Sequence, residues 1–501
     1  MTPGATPREN AVVPVDEILV GGGWRRGSGE ELAVTDPTDG RIIARVHGAS
    51  VADVDEAVHR GSMAARSGDW RDLLPAQRAR YLHAIADRIE GAAEHLAQLQ
   101  TLNTGKALAE TRALVASAAG TFRYFGSVLE TVEDVVTPPR GDYLTMSVHE
   151  PIGVVGAITP WNSPIASDAQ KLAPALAAGN AVLLKPAAWT PLVALALARL
   201  IEEAGVPTGL VSVLPGRGEA IGDAIVRHPG VGKVSFTGGT ETGRAIGRIA
   251  AEKIMPVSLE LGGKSPTIVC EDADIDRSVA GVLFGIFSSS GQSCIAGSRL
   301  FVHASRYETV VERVVDGASK LRVGPGTDSG TQVGPLVTAE HRDRVARYVE
   351  LARAEGGTVR CGGRAPADPA LAAGSYYLPT VIDGLPHSAR VCQEEIFGPV
   401  LVALAFTDED DLVRQANDSA YGLACGLWTE DYRRAWRLAR RIEAGTVWIN
   451  TYKRLSIATP FGGMKHSGIG REKGVQGIRA YMRQKSLYWG LAEELLPWAA
   501  D

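Results

Sequence analysis

Cys294 lies between Gly291 and Gly297, beside Gln292 and Ser293, near the end of an uncharged run over residues 278–298. Glycines on both sides let a ligand approach the sulfur closely, so this thiol is a candidate nucleophile. Cys270, Cys361, Cys392 and Cys425 have no such setting and read as small buried hydrophobes. Glu260 closes an apolar run over residues 257–259 and is followed by Leu261, Gly262 and Gly263. A carboxylate with nothing polar around it is a candidate for a raised pKa and general-base work. Two glycine-bearing turns point to a phosphate. Gly216, Gly218 and Gly222 give GxGxxxG after an apolar run, which alone is better read as a plain strand-to-helix turn. Residues 236–243 hold Gly238, Gly239 and Gly243 in a second turn of that kind, where free N–H groups and a helix dipole favour an anion.

These residues need a scaffold of strands and helices in alternation. Residues 152–159, 181–185, 211–214 and 234–236 read as buried strands, separated by helical stretches over 166–178, 191–204 and 219–227. Such alternation indicates right-handed crossovers and a parallel sheet. The theme returns with strands expected at 300–303, 400–406, 423–428 and 446–450, so two α/β units are expected, with a boundary near 261–265. Upstream, Leu82, Ile85, Ala86 and Ile89 recur at helical spacing behind Pro75. The first 30 or so residues read as an arm leading into an irregular strand. Residues 134–150 and the tail after Arg479 fit neither unit.

The chain has 501 residues, a formal charge of −5, 45% hydrophobic and 22% charged residues. That composition is globular, and its mild acidity argues against a nucleic-acid partner. Five scattered cysteines without CxxC form neither a disulfide framework nor a zinc site, and no metal is expected. The first 17 residues carry Arg8, Glu9, Asp16 and Glu17 and no apolar core, so no signal peptide is expected. In the uncharged run only residues 279–287 are apolar, too few for a membrane span. A cytoplasmic location is expected.

Several motifs then fall into one order: Pro160, Trp161 and Asn162; Lys185 and Pro186; Phe236, Thr237 and Gly238; Glu260 to Gly263; Gly291, Gln292 and Cys294. They continue with Glu394, Glu395, Ile396, Phe397, Gly398 and Pro399; Asn417, Tyr421 and Gly422; Pro460 to Gly463; and Ser467, Gly468, Gly470, Arg471 and Glu472. This set resembles the aldehyde dehydrogenase superfamily over residues 36–491, and the 34-residue separation of Glu260 and Cys294 matches its pattern. The resemblance implies an α/β fold with a Rossmann-like cofactor domain (1–133 and 151–262), an α/β catalytic domain (263–478) and a small β oligomerisation element (134–150 and 479–497). A homodimer or homotetramer is expected, because edge strands invite pairing between subunits.

By the same resemblance, Cys294 would attack an aldehyde to form a thiohemiacetal, and hydride loss would leave a thioester. Asn162 and the Cys294 N–H would hold the oxyanion, a neutral amide suiting a charge that must later collapse. Glu260 would activate the hydrolytic water, and Glu472 paired with Lys171 would relay the proton. The resemblance implies NAD or NADP along Thr159, Pro160, Trp161, Lys185, Ala188, Arg217, Gly218, Gly222, Phe236, Thr237, Gly238, Gly239, Gly243, Leu261, Glu395 and Phe397. Lys185 would meet the adenosine ribose, Glu395 the nicotinamide ribose and Phe397 the nicotinamide edge. Two positions depart from the pattern. Ala188 stands where NAD-preferring members carry a Glu, and Gly239 where a hydroxyl is frequent, so NADP is expected to be accepted, helped by Arg217 if it points inward.

Ser163, Ala166, Ser167 and Gln170 would line a wide, partly polar aldehyde tunnel. Tyr452, Lys453 and Arg454 would lie near its mouth, first of all as a solvated basic loop or subunit contact, and alternatively touching substrate. Three rivals are weaker. A CoA-acylating relative has no need of Glu260. A cysteine hydrolase needs a partner His, and His47, His59, His149, His228 and His466 stand in no partner motif. A non-catalytic scaffold would be free to lose Cys294, Glu260 or Asn162.

Overall fold

In a computed structural model that describes residues 13–15, 17–492 and 498, the apolar runs form two sheets, each flanked by helices. Residues 1–12 of the expected cofactor domain and 493–497 of the expected oligomerisation element lie outside the described residues.

The first sheet has eight strands. Its centre is Val154–Ile158, flanked on one side by Ala181–Lys185 and Val211–Val213 and on the other by Lys233–Thr237 and Val257–Glu260. All five are parallel and almost wholly buried, which is why they read as unbroken apolar runs. Chain order runs outward from Val154–Ile158 in one direction and then resumes on its other side, so the sheet has a switch point between Ile158 and Phe236. Ligands in open α/β sheets bind outside the carboxyl ends of strands at such a point. The arm expected at the start forms an antiparallel edge pair, Ile18–Val20 and Gly23–Arg25. The other edge is Gly468–Ile469, which comes from within the stretch 263–478 and pairs with Leu259 and Glu260.

The second sheet orders Thr358–Cys361, Thr380–Asp383, Val400–Phe406, Arg299–His303, Pro266–Val269, Ala424–Trp428 and Thr446–Ile449, with only the first antiparallel. Residues 261–265 bridge the two sheets. One difference from the expected helices is a π-helical turn at Gly218–Gly222 before the short helix Asp223–Arg227. Residues 134–150 and the tail come together in a third sheet, Met482–Gly490 against Tyr143–Pro151 against Val135–Thr137. Val136, Tyr488 and Trp489 of this sheet are exposed, the last two on opposite faces.

Candidate functional site

A cavity of about 180 Å³ opens at the switch point of the first sheet. One wall is Pro160, Trp161 and Asn162, which follow the central strand; another is Thr237, Gly238 and Gly239, which follow its neighbour. The second sheet's side contributes Cys294, Glu395 and Phe397, and Leu261 and Gly262 close the floor.

Cys294 is reached through a loop of unusual backbone. Ser289, Ser290 and Gly291 have φ of +58°, +55° and +71°. Left-handed serines cost roughly 1–3 kcal/mol each and persist only where surroundings impose them. Here Ser290 donates to the Gly334 carbonyl at 2.8 Å, and Gln292 accepts from the Val337 N–H at 2.9 Å. Glycine is required at 291, since a Cβ would stand 2.1 Å from the Gly398 carbonyl oxygen. The Asn162 side chain donates to the Gln292 carbonyl at 2.9 Å, leaving its second N–H free. Burial, with help from Glu395 and Glu260, pushes the Cys294 thiol up to about 12, while Lys453 pulls the other way. Burial lifts the other four cysteines too, so resting acidity does not single out Cys294. Its place in the cavity does.

Both carboxylate oxygens of Glu260 are buried without a hydrogen-bond partner. Burial and the neighbouring Glu472 carboxylate raise its pKa well above the usual range. Glu260 acts on Cys294 but does not line the cavity; its Oε1 lies against Gly462, toward Glu472. Glu472 is held by Lys171 at 2.6 Å and accepts from Ser235 at 3.2 Å, and Lys171 also donates to Ser235 at 3.0 Å. Gln170, expected as a tunnel liner, donates to the second oxygen of Glu472. Ser235, and Lys473 whose pKa is lowered by burial, complete this polar cluster; nothing in their local spacing marks them.

On the cofactor side, the 14-residue helix Thr240–Lys253 is capped by Gly239, where a Cβ would meet nothing within 4 Å. A Cβ at Gly238 would stand 2.5 Å from the Phe236 ring, and one at Gly243 2.5 Å from Leu261. The turn is tight inward and open outward, which leaves the helix N-terminus accessible to a pyrophosphate. Gly222 packs against the Lys185 stem, and Gly218 opens outward. Thr159 donates its N–H to the Lys185 carbonyl at 3.1 Å. The Lys185 ammonium donates to the Pro186 carbonyl at 2.8 Å, with burial drawing its pKa to about 8. Glu395 accepts from the Gly263 N–H at 2.9 Å and is lifted by burial to about 7. Phe397, at φ +61°, meets Trp161 edge-on with ring centroids 5.3 Å apart, and His341 is bonded to its carbonyl at 2.8 Å. Ala188 is partly buried and leaves no acid at its position. The residues fit a dinucleotide.

Two placements correct the sequence reading. Arg217 points outward into a bidentate pair with Glu30, at 2.8 and 2.9 Å, so it adds no charge beside Lys185; the charge acting there is Glu219. Lys453 is no solvated loop residue, since its ammonium is bonded to Ser288, although Arg454 beside it is exposed.

The aldehyde dehydrogenase family model matches residues 24–487. The chain is 41% identical over 482 residues to phenylacetaldehyde dehydrogenase of Pseudomonas fluorescens, spanning 94% of this chain and 95% of that one. It is 42% identical over 462 residues to betaine aldehyde dehydrogenase of Brucella anthropi, spanning 92% and 94%. Among solved structures, the NAD+ complex of an aldehyde dehydrogenase from Bacillus cereus superposes with a TM-score of 0.93 at 40% identity, covering 95% and 96%.

Proposed function

The chain belongs to the aldehyde dehydrogenase family, an NAD-dependent enzyme oxidising an aldehyde to a carboxylic acid, and from that premise we propose which residues carry the reaction. Cys294 is the nucleophile and Glu260 the base. The observation that carries this reading is the bond from Asn162 to the Gln292 carbonyl, which holds an amide donor beside Cys294 in one cavity.

The sulfur adds to the carbonyl carbon, and the new oxyanion is met by the free Asn162 N–H and the Cys294 N–H. NAD, when bound, supplies the acceptor for the hydride. The thioester on Cys294 is then hydrolysed by water that loses its proton to Glu260, and Glu472 with Lys171 and Ser235 carries the proton outward. In balance, aldehyde, NAD+ and water give carboxylate, NADH and two protons. Because burial raises both the Cys294 thiol and Glu260, each needs a proton removed to act, and turnover rises with pH above neutrality.

The division into cofactor, catalytic and oligomerisation parts is supported by the separate eight-stranded, seven-stranded and three-stranded 135–151/482–490 sheets, and the exposed Val136, Tyr488 and Trp489 of the last suit self-association. Five free cysteines suit a reducing cytoplasm, and among the described residues no helix is long and apolar enough to cross a membrane. NADH formation followed by absorbance, with an aldehyde panel, with and without free CoA, tests the hydrolytic reading. Oxidation without CoA supports it, and an absolute need for CoA overturns it.

A further inference from the structure

We propose that the aldehyde tunnel takes a substrate bearing a carboxylate at the end remote from the aldehyde, held by the ammonium groups of Lys453 and Lys106. The inference rests on the aldehyde oxidation proposed above and names its substrate class.

Lys453 follows the strand Thr446–Ile449 in a loop where Asn450 and Lys453 both have left-handed φ, +53° and +54°. A lysine in a surface loop ordinarily extends its ammonium into water. This one donates instead to the Ser288 hydroxyl at 2.7 Å, with its ammonium 5.9 Å from the centre of the Phe284 ring. Ser288 caps the helix Ile275–Phe287, six residues before Cys294. Lys453 and Cys294 are near enough for each to bias the other's protonation.

Lys106 is the second cation. Only 3% of it is exposed, and its ammonium has no hydrogen-bond partner. It is close enough to Lys453 to depress that group, and burial depresses its own pKa. Glu110 is the one acid acting on both lysines, and its Oε1 is already occupied by the Ser289 N–H at 2.7 Å. One buried and one half-buried lysine against one acid leave the Lys106 ammonium an unused donor. A burial of this kind is costly unless an anion completes it. A carboxylate would do so, a neutral aldehyde would not, and a quaternary ammonium such as that of betaine aldehyde would be repelled. Ser288 and Phe284, which Lys453 contacts, line a cavity of about 390 Å³ together with Glu110 and with Ala107, the neighbour of Lys106, and this leaves room for the chain of such a substrate.

The test uses the full-length enzyme with NAD and compares hexanal, 6-oxohexanoate and betaine aldehyde. We expect kcat/KM to favour 6-oxohexanoate over hexanal by about tenfold or more, with betaine aldehyde poorest. Lys453→Met should remove most of that preference and Lys453→Arg should keep it. Equal use of the anionic and neutral aldehydes by the wild type overturns the proposal, as does a Lys453→Met enzyme in which both rates fall together, the mark of a loop latch alone. A readout without turnover guards against a variant that does not fold: adipate, and not adipamide, should slow alkylation of Cys294 by iodoacetamide in the wild type. Equal effects of the two overturn the anion site. Absence of oxidation with every aldehyde strikes the aldehyde reading instead, while protection by adipate would still support the anion site.

Discussion

The Asn162 side chain donates a 2.9 Å hydrogen bond to the carbonyl of Gln292, joining the loop after the first sheet's central strand to the loop that carries Cys294. The amide is thereby fixed in rotation, and its remaining N–H is aimed by structure and not by substrate. Preorganised donors of this kind cost no reorganisation when charge develops.

Asn162→Ala should therefore lower kcat by about 10²- to 10³-fold with a smaller change in KM, the loss expected for one oxyanion donor. Asn162→Asp should be worse, since a carboxylate repels the oxyanion. Steady-state NADH formation measures both, and a change in KM alone would remove Asn162 from the oxyanion site.

Lys171 and Glu472 form a buried pair, 1% and 5% exposed. Removing one partner leaves the other charge uncompensated, at a cost of about 3–5 kcal/mol. Lys171→Met should lower Tm sharply, and the Lys171→Met/Glu472→Gln double variant should recover much of it. Hydrolysis of the thioester should stay slow in both, seen as an NADH burst followed by a reduced steady state. Recovery of steady-state turnover together with Tm would mean the pair is structural only.

On this account cofactor choice should turn on Ala188 and not on Arg217. Position 188 has no acid to repel a 2′-phosphate, and Glu219 is the acid left acting on Lys185, so NADP should be accepted and Ala188→Glu should shift the kcat/KM ratio toward NAD by about tenfold or more. Arg217→Ala should leave that ratio unmoved, because its guanidinium is committed to Glu30 on the surface. A large shift with Arg217→Ala would show that the pair opens when NADP binds.

Most central strands of the two sheets were legible because parallel strands buried on both faces appear as apolar runs, whereas Pro266–Val269, Thr358–Cys361 and Thr380–Asp383 were missed as short segments of four residues; in the turn at 236–243, Gly238 and Gly243 answer a steric need. Pairings across long separations were not legible. Glu30, which turns Arg217 outward, is 187 residues away, and Glu472, which holds Gln170, is 302 residues away. The inward turn of Lys453 was hidden for the same reason: a Lys–Arg loop looks solvated until Ser288 is placed beside it. Asp168 was equally silent, an acid buried in the helix Pro164–Ala177 with Thr159 and Lys171 acting on it.

Both oxygens of Asp168 are buried without a hydrogen-bond partner, and burial raises its pKa to about 7. The folded chain thus holds this proton more tightly than the unfolded one, so stability is lost as pH rises from the ordinary carboxylate range through about 7. Asp168→Asn should remove that loss. Its Tm should exceed the wild type at pH 8, by a free energy of at most about 4 kcal/mol, and the gap should close toward pH 4. A gap that is constant with pH would mean Asp168 does not titrate in this range.

The central claim, a thioester on Cys294 cleared by Glu260, is tested most directly by mass spectrometry of the Glu260→Gln enzyme quenched soon after mixing with NAD and an aldehyde. The account predicts an NADH burst near one per active site and an acyl adduct of matching mass on the peptide containing Cys294. A burst without the adduct, or an adduct on Cys270, Cys361, Cys392 or Cys425, would contradict it.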